Sequence, residues 1–159
     1  MFDERPDIQE RLDGELVAWM TTVNATGQPQ TSPVWFLAED EVIVVYSLDK
    51  TPRTRNIATQ PKVCLNLNST PSGGQVVIIE GTAELVADGP PADEDTRYVT
   101  KYEGPMEDLG MTPASFAADY PVRIHIRPTR RLDILADVSG NTVQVAALPF
   151  GKEHVEGQA

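Results

Sequence analysis

Apolar residues recur along this chain mostly with the period of a strand. Lys62 to Asn68 alternates Val63, Leu65 and Leu67 against Lys62, Cys64, Asn66 and Asn68, which predicts a strand with one buried face. Pro121 to Asp133 repeats the pattern, with Val122, Ile124 and Ile126 on one side and Arg123, His125 and Arg127 on the other, and Pro128 marking an edge or a bulge. Val42 to Ser47 is a β-branched run too short for a typical helix. Leu16 to Asn24 and Gln30 to Ala38 flank the turn Ala25-Thr26-Gly27-Gln28, and with the reversal at Glu39-Asp40-Glu41 the three runs predict an antiparallel meander. Gln75 to Ala87 predicts a long strand, bulged or bent at Gly81 and paired across Gly73-Gly74.

Helical signals are short and lie between these runs. Pro6 to Leu12 places Ile8 and Leu12 on one face and predicts a lid helix. Thr51-Pro52 combines a cap with a proline suited to the first helical position, and Gln60-Pro61 closes that helix. Asp93-Glu94-Asp95 puts acids in the first turn of a helix running to about Tyr102, and Thr112-Pro113 opens another ending near Asp119. Thr142 to Leu148 offers a further strand, and Gly151 to Ala159 reads as a polar tail. No repeat or linker divides the chain. The expectation is one mostly antiparallel β domain over residues 1–159, with its core at about 16–133 and a C-terminal extension at 134–159.

Composition narrows the chemistry. A chain of 159 residues buries ~68–70% of its unfolded surface without disulfides or metals. No apolar run approaches the ~18 residues of a spanning helix. The N-terminus, Met1-Phe2-Asp3-Glu4-Arg5-Pro6, is acidic and polar, unlike a secretory signal, so the expected compartment is the cytoplasm and no membrane partner is expected. Cys64 has no partner for an internal disulfide and reads as a small buried hydrophobe; the two histidines lie far apart, without zinc spacing.

Charge is where the sequence becomes specific. The net charge is -11, which repels a nucleic-acid backbone, yet eight of the 13 basic residues fall in two windows without any acid. Lys50 to Ile79 holds Lys50, Arg53, Arg55 and Lys62; Tyr120 to Leu132 holds Arg123, Arg127, Arg130 and Arg131. Such segregation suits small anions. In the first window, Tyr46-Ser47-Leu48-Asp49-Lys50-Thr51-Pro52-Arg53-Thr54-Arg55-Asn56-Ile57 takes a strand into a capped helix carrying two guanidinium groups. Helix-start N–H groups, hydroxyls and bidentate arginines suit a phosphate monoester. A glycine cradle of the P-loop or dinucleotide type is absent from the sequence, and so is any evident Ser-His-Asp or Cys-His arrangement. Trp35 shares a strand face with Thr31 and Pro33, which equally suits a ligand wall or core packing.

The stretch from Gly27 to Phe36, the Tyr46 to Ile57 segment, and Gln60 to Leu67 together resemble the pyridoxamine-phosphate-oxidase-like superfamily. Gly73 to Glu84 and Tyr98 to Tyr102 resemble its actinobacterial branch of deazaflavin (coenzyme F420) dependent reductases. The likeness spans roughly Leu16 to Asp133. It implies a six-stranded antiparallel split β-barrel, a homodimer with a cofactor at each end of the interface, and hydride transfer to a small unsaturated or carbonyl-conjugated molecule. Carried onto this sequence, Ser47, Thr51, Arg53 and Arg55 would hold the phosphate, Lys62 would be a secondary candidate, and Thr31, Pro33 and Trp35 would line the ring pocket. Arg53 stands where the family commonly has lysine, and Pro52 replaces a small residue. Coenzyme F420 is the expected cofactor, with FMN as the alternative; a non-catalytic carrier and a ligand-free structural dimer are the other readings. A basic strip of Lys101, Arg123 and Arg127 would favour the anionic deazaflavin tail. Trp19, Trp35 and Phe36 would supply apolar surface to the dimer.

Overall fold

The computed structural model describes residues 6–136 and 143–149, with side chains as far as Arg130. The acidic N-terminal residues and the polar tail from Gly151 lie outside the described residues. The elements run α1 (Pro6–Gly14), β1 (Val17–Val23), β2 (Pro29–Trp35), β3 (Leu37–Ala38), β4 (Ile43–Ser47), α2 (Pro52–Thr59), β5 (Lys62–Leu67), β6 (Val76–Val86), α3 (Thr96–Asp108), α4 (Pro113–Asp119), β7 (Val122–Ala136) and β8 (Val143–Pro149). Every pairing is antiparallel.

One curled sheet contains all the strands, in the order β2-β1-β5-β6-β7-β4-β3, with β8 added on β7. The seven strands of that path replace the six expected. The difference arises at Phe36, where the single run expected from Gln30 to Ala38 breaks into β2 and β3. There the Tyr102 hydroxyl accepts from the Phe36 N–H at 2.7 Å and lies 2.8 Å from both the Phe36 and Leu16 carbonyls. A side chain of α3 thus meets the backbone groups that a neighbouring strand would otherwise satisfy. Helix α3 also runs on past Tyr102 to Asp108, through Pro105.

Two apolar clusters hold the layers together. Ile8 and Leu12 of α1 close the inside of the curl over Met20, Phe36, Ile43, Leu65, Ile79, Ile124 and Ile126, all buried. On the far side of β4, Val44 and Tyr46 pack with Tyr98, Tyr102 and Met106 of α3 and Phe116 of α4. Strand β4 is therefore buried on both faces, which accounts for its unbroken β-branched run. Each such side chain contributes about 1.5–3 kcal/mol by leaving water.

Gly81 marks a register shift, as the sequence suggests: Glu80 pairs with Arg130 but Gly81 with Pro128, leaving Thr129 as the extra residue. A Cβ at Gly81 would stand 2.7 Å from the Arg127 carbonyl oxygen and 2.9 Å from Ile126 Cγ2. Only glycine fits that approach without a shift.

Candidate anion-binding site

The end of β4 and the start of α2 build the site. Ser47 is the last residue of β4 and is buried. Lys50 then takes a left-handed conformation, φ 58°. Thr51 caps α2 by accepting from the Thr54 N–H at 3.3 Å, and Pro52 occupies the first turn, as its fixed φ favours. The middle of the helix is anchored by Asn56, whose amide donates to Thr22 Oγ1 and to Gln30 Oε1, each at 2.9 Å. Those two bonds fix α2 against β1 and β2, so its first turn projects Arg53 across the sheet rim.

Arg53 is the focus. Its Nη1 donates to Ser47 Oγ at 3.2 Å, and its Nη2 donates to Ser32 Oγ at 2.6 Å and to the Pro33 carbonyl at 3.4 Å. Its Nε is buried and has no hydrogen-bond partner. Among the described residues it makes no ion pair. Burial pushes the guanidinium below its ordinary pKa. A cation withdrawn from water and met only by neutral acceptors favours an anion, because opposite charge offsets the desolvation. Arg55 extends the same turn, donating from Nη1 to the Lys50 carbonyl at 2.6 Å while remaining exposed.

Of the residues singled out in the sequence, Ser47, Arg53 and the Pro33 backbone converge, with Thr51 and Arg55 alongside at the helix start. Thr31 and Lys62 do not join them. Thr31 bonds to Thr21 Oγ1 at 2.7 Å and lines an open cavity of about 490 Å3 with Trp19, Asn66 and Ile78. Lys62 lines another, about 560 Å3, with Thr21, Cys64, Glu80 and Thr82. In this second cavity burial and Glu80 push the Cys64 thiol above its ordinary pKa, disfavouring the thiolate. Trp35 stacks on Tyr102 with centroids 4.6 Å apart and on Phe116 at 5.4 Å, so its ring packs against the second apolar cluster. Ser32 was not among the candidates. Strand alternation puts it on the face opposite Thr31 and Pro33, and only the placement of α2 brings Arg53 to it.

The second basic window is arranged differently. Arg123 is buried and donates to the Tyr46 hydroxyl at 3.2 Å, to the Pro90 carbonyl at 3.3 Å and from Nε to His125 Nε2 at 2.9 Å. Its Nη2 lies 3.7 Å from Asp95 and 3.9 Å from Glu39. Gly89 permits this packing, since a Cβ there would stand 2.5 Å from Arg123 Cδ. Arg127 pairs with Glu84 at 3.4 Å and Arg130 with Glu80 at 3.7 Å. Lys101 instead lies over the Phe36 and Tyr102 rings, whereas Arg123 lies over Tyr46, across Tyr98 from them. The expected continuous strip of Lys101, Arg123 and Arg127 is therefore not assembled within one chain.

A curled antiparallel sheet thus carries at its rim a capped helix whose half-buried arginine has no ion-pair partner among the described residues, a candidate anion site. The chain belongs to the pyridoxamine 5'-phosphate oxidase family, whose model matches residues 5–130. Among solved structures it is similar to an F420 reductase, at 27% identity over 77% of this chain and 94% of that one, TM-score 0.62. General Stress Protein 26 from Bacillus anthracis aligns at 19% identity over 94% and 99% of the two chains, TM-score 0.64. The heme storage protein HutZ from Vibrio cholerae aligns at 17% over 77% and 88%, TM-score 0.56. These last two likenesses establish the fold alone. A comparison with curated proteins returned no match. No helix among the described residues is long and apolar enough to cross a membrane.

Proposed function

We propose that this protein is an oxidoreductase that binds coenzyme F420 through its phosphate and transfers a hydride to a small unsaturated or carbonyl-conjugated molecule. The observation that carries the reading is Arg53: a half-buried guanidinium among Ser47, Ser32 and the Pro33 carbonyl, with one orphaned donor and no carboxylate paired to it among the described residues. That donor chemistry fits a phosphate group. Ser47, Thr51, Arg53 and Arg55 are the residues that would hold it. The likeness to an F420 reductase at 27% identity favours the deazaflavin over FMN, which also offers a phosphate.

When bound, the deazaflavin supplies the hydride; the chain supplies position and charge. Arg53 fixes the anionic end, while Ser32 and Ser47 hold the guanidinium in one orientation. A second copy of the chain would complete the ring pocket. Phe36 is covered within one subunit and Trp35 packs against α3 and α4, so the apolar support for the homodimer rests on Trp19, which is 40% exposed beside an open cavity.

Fluorescence titration with the deazaflavin and with FMN, followed by turnover of an enone with the reduced cofactor, tests the proposal. Tighter deazaflavin binding with turnover is expected. Tighter FMN binding at every salt concentration would make the enzyme FMN-dependent, and binding without turnover would make it a carrier. Sedimentation at micromolar concentration checks the dimer; monomer alone would exclude a site shared between copies.

A further inference from the structure

Where α1 ends, one face of α3 closes an open cavity of about 520 Å3 that shares no residue with the Arg53 site. Arg97 and Lys101 stand four residues apart on that face, as do Thr96 and Thr100, so all four are presented together. Leu37 and Leu16 supply apolar wall, and Asp13 stands at the margin. Tyr98 and Tyr102 are buried on the other face of the helix.

Lys101 is an unusual amine. Its Nζ donates to the Leu12 carbonyl at 2.8 Å and lies 4.0 Å from the Phe36 ring centroid. Among the described residues neither it nor Arg97 forms an ion pair; Arg97 donates to the Ala38 carbonyl at 3.2 Å. Burial pushes the Lys101 amine down to about 8, although Asp13 and Glu15 pull it upward. Tyr102, the other titratable group against it, is kept neutral by its own burial. A lysine amine withdrawn from water at the wall of a cavity is a setting in which amines react with carbonyls.

We propose that this cavity is a second ligand site, taking a small aldehyde that carries a carboxylate, with Arg97 holding the carboxylate and the Lys101 amine condensing with the carbonyl. The nitrogen lone pair adds to the carbonyl carbon, forming the C–N bond. The carbonyl oxygen then leaves as water with the two hydrogens of the nitrogen, and an imine remains. No electrons are exchanged, so no oxidant or reductant takes part.

The test uses the intact protein, glyoxylate as the anionic aldehyde, acetaldehyde as the neutral one, and cyanoborohydride to trap the imine for peptide mass spectrometry. Lys101 should be labelled by glyoxylate about tenfold faster than Lys50 or Lys62, the size of one charge-assisted contact. Its rate should rise with a midpoint near pH 8, and acetate, an anion without the reactive carbonyl, should protect it. Arg97→Gln should slow glyoxylate and leave acetaldehyde unchanged. Equal labelling of the three lysines, or no protection of wild-type Lys101 by acetate, would overturn the site and leave Lys101 as a structural tie to α1. An equal effect of Arg97→Gln on both aldehydes would also overturn it.

Discussion

The two acid-free windows look alike in sequence and opposite in structure. In the second, each described arginine finds a carboxylate from elsewhere: Arg123 reaches Asp95 and Glu39, Arg127 reaches Glu84, and Arg130 reaches Glu80. In the first, Arg53, Arg55, Lys50 and Lys62 find none among the described residues. The second window lies along β7, whose antiparallel neighbour β6 brings Glu80 and Glu84 into register with it. In the first, Lys50, Arg53 and Arg55 lie in a turn and the start of a helix, where no strand lies opposite, and Lys62 on β5 faces Thr82 rather than an acid in register. A run of cations marks a ligand site only when the fold leaves it uncompensated.

Removing the buried cation of the compensated window should have the largest effect. Arg123→Ala leaves Asp95, itself buried, without its counter-charge, and should lower the unfolding free energy by about 3 kcal/mol. Urea denaturation measures it, and a change under 1 kcal/mol would mean that the pair contributes little. Arg53→Ala should do the reverse. Phosphate-bearing cofactor affinity should fall by roughly 1.5–3 kcal/mol while stability changes little, and Arg53→Lys should recover part of the binding. If Arg53→Ala unfolds the protein and leaves binding intact, the contrast between the windows fails.

Arg55→Ala should weaken cofactor binding by about 1.5 kcal/mol, against less than about 0.5 kcal/mol for Arg130→Ala, whose partner Glu80 is nearly half-exposed. Equal affinities for these two variants would move the phosphate site away from α2. The smallest effect belongs to Lys50→Gly. Its left-handed backbone costs roughly 1 kcal/mol in a residue with a Cβ, so glycine should raise stability by about that amount in the same urea experiment. Any accompanying loss of cofactor affinity would assign the Lys50 ammonium to the site.

Strand positions were legible because alternation is local: Val63, Leu65 and Leu67 are buried as their spacing requires, and Thr51-Pro52 opens α2 where a cap and a proline belong. The approach of Arg53 to Ser47 was legible for the same reason, since both lie within one strand-to-helix turn. Ser32 was not, because it reaches Arg53 from 21 positions away through a helix whose packing no local pattern specifies. Nor was the neutralisation of Arg123, which draws on Asp95 and Glu39 from separate loops. The extra strand has no local signal either, because what divides β2 from β3 is a hydroxyl 66 residues distant.

That hydroxyl makes the Phe36 amide a reporter of something other than its own strand. An amide held by a neighbouring strand exchanges its hydrogen with solvent when the sheet opens; this one is held by Tyr102, so its exchange is released when α3 lifts away. Protection at Phe36 therefore times the undocking of a helix. In Tyr102→Phe the same amide should exchange faster than its neighbours Val34 and Ala38, while the ladder around them stays closed.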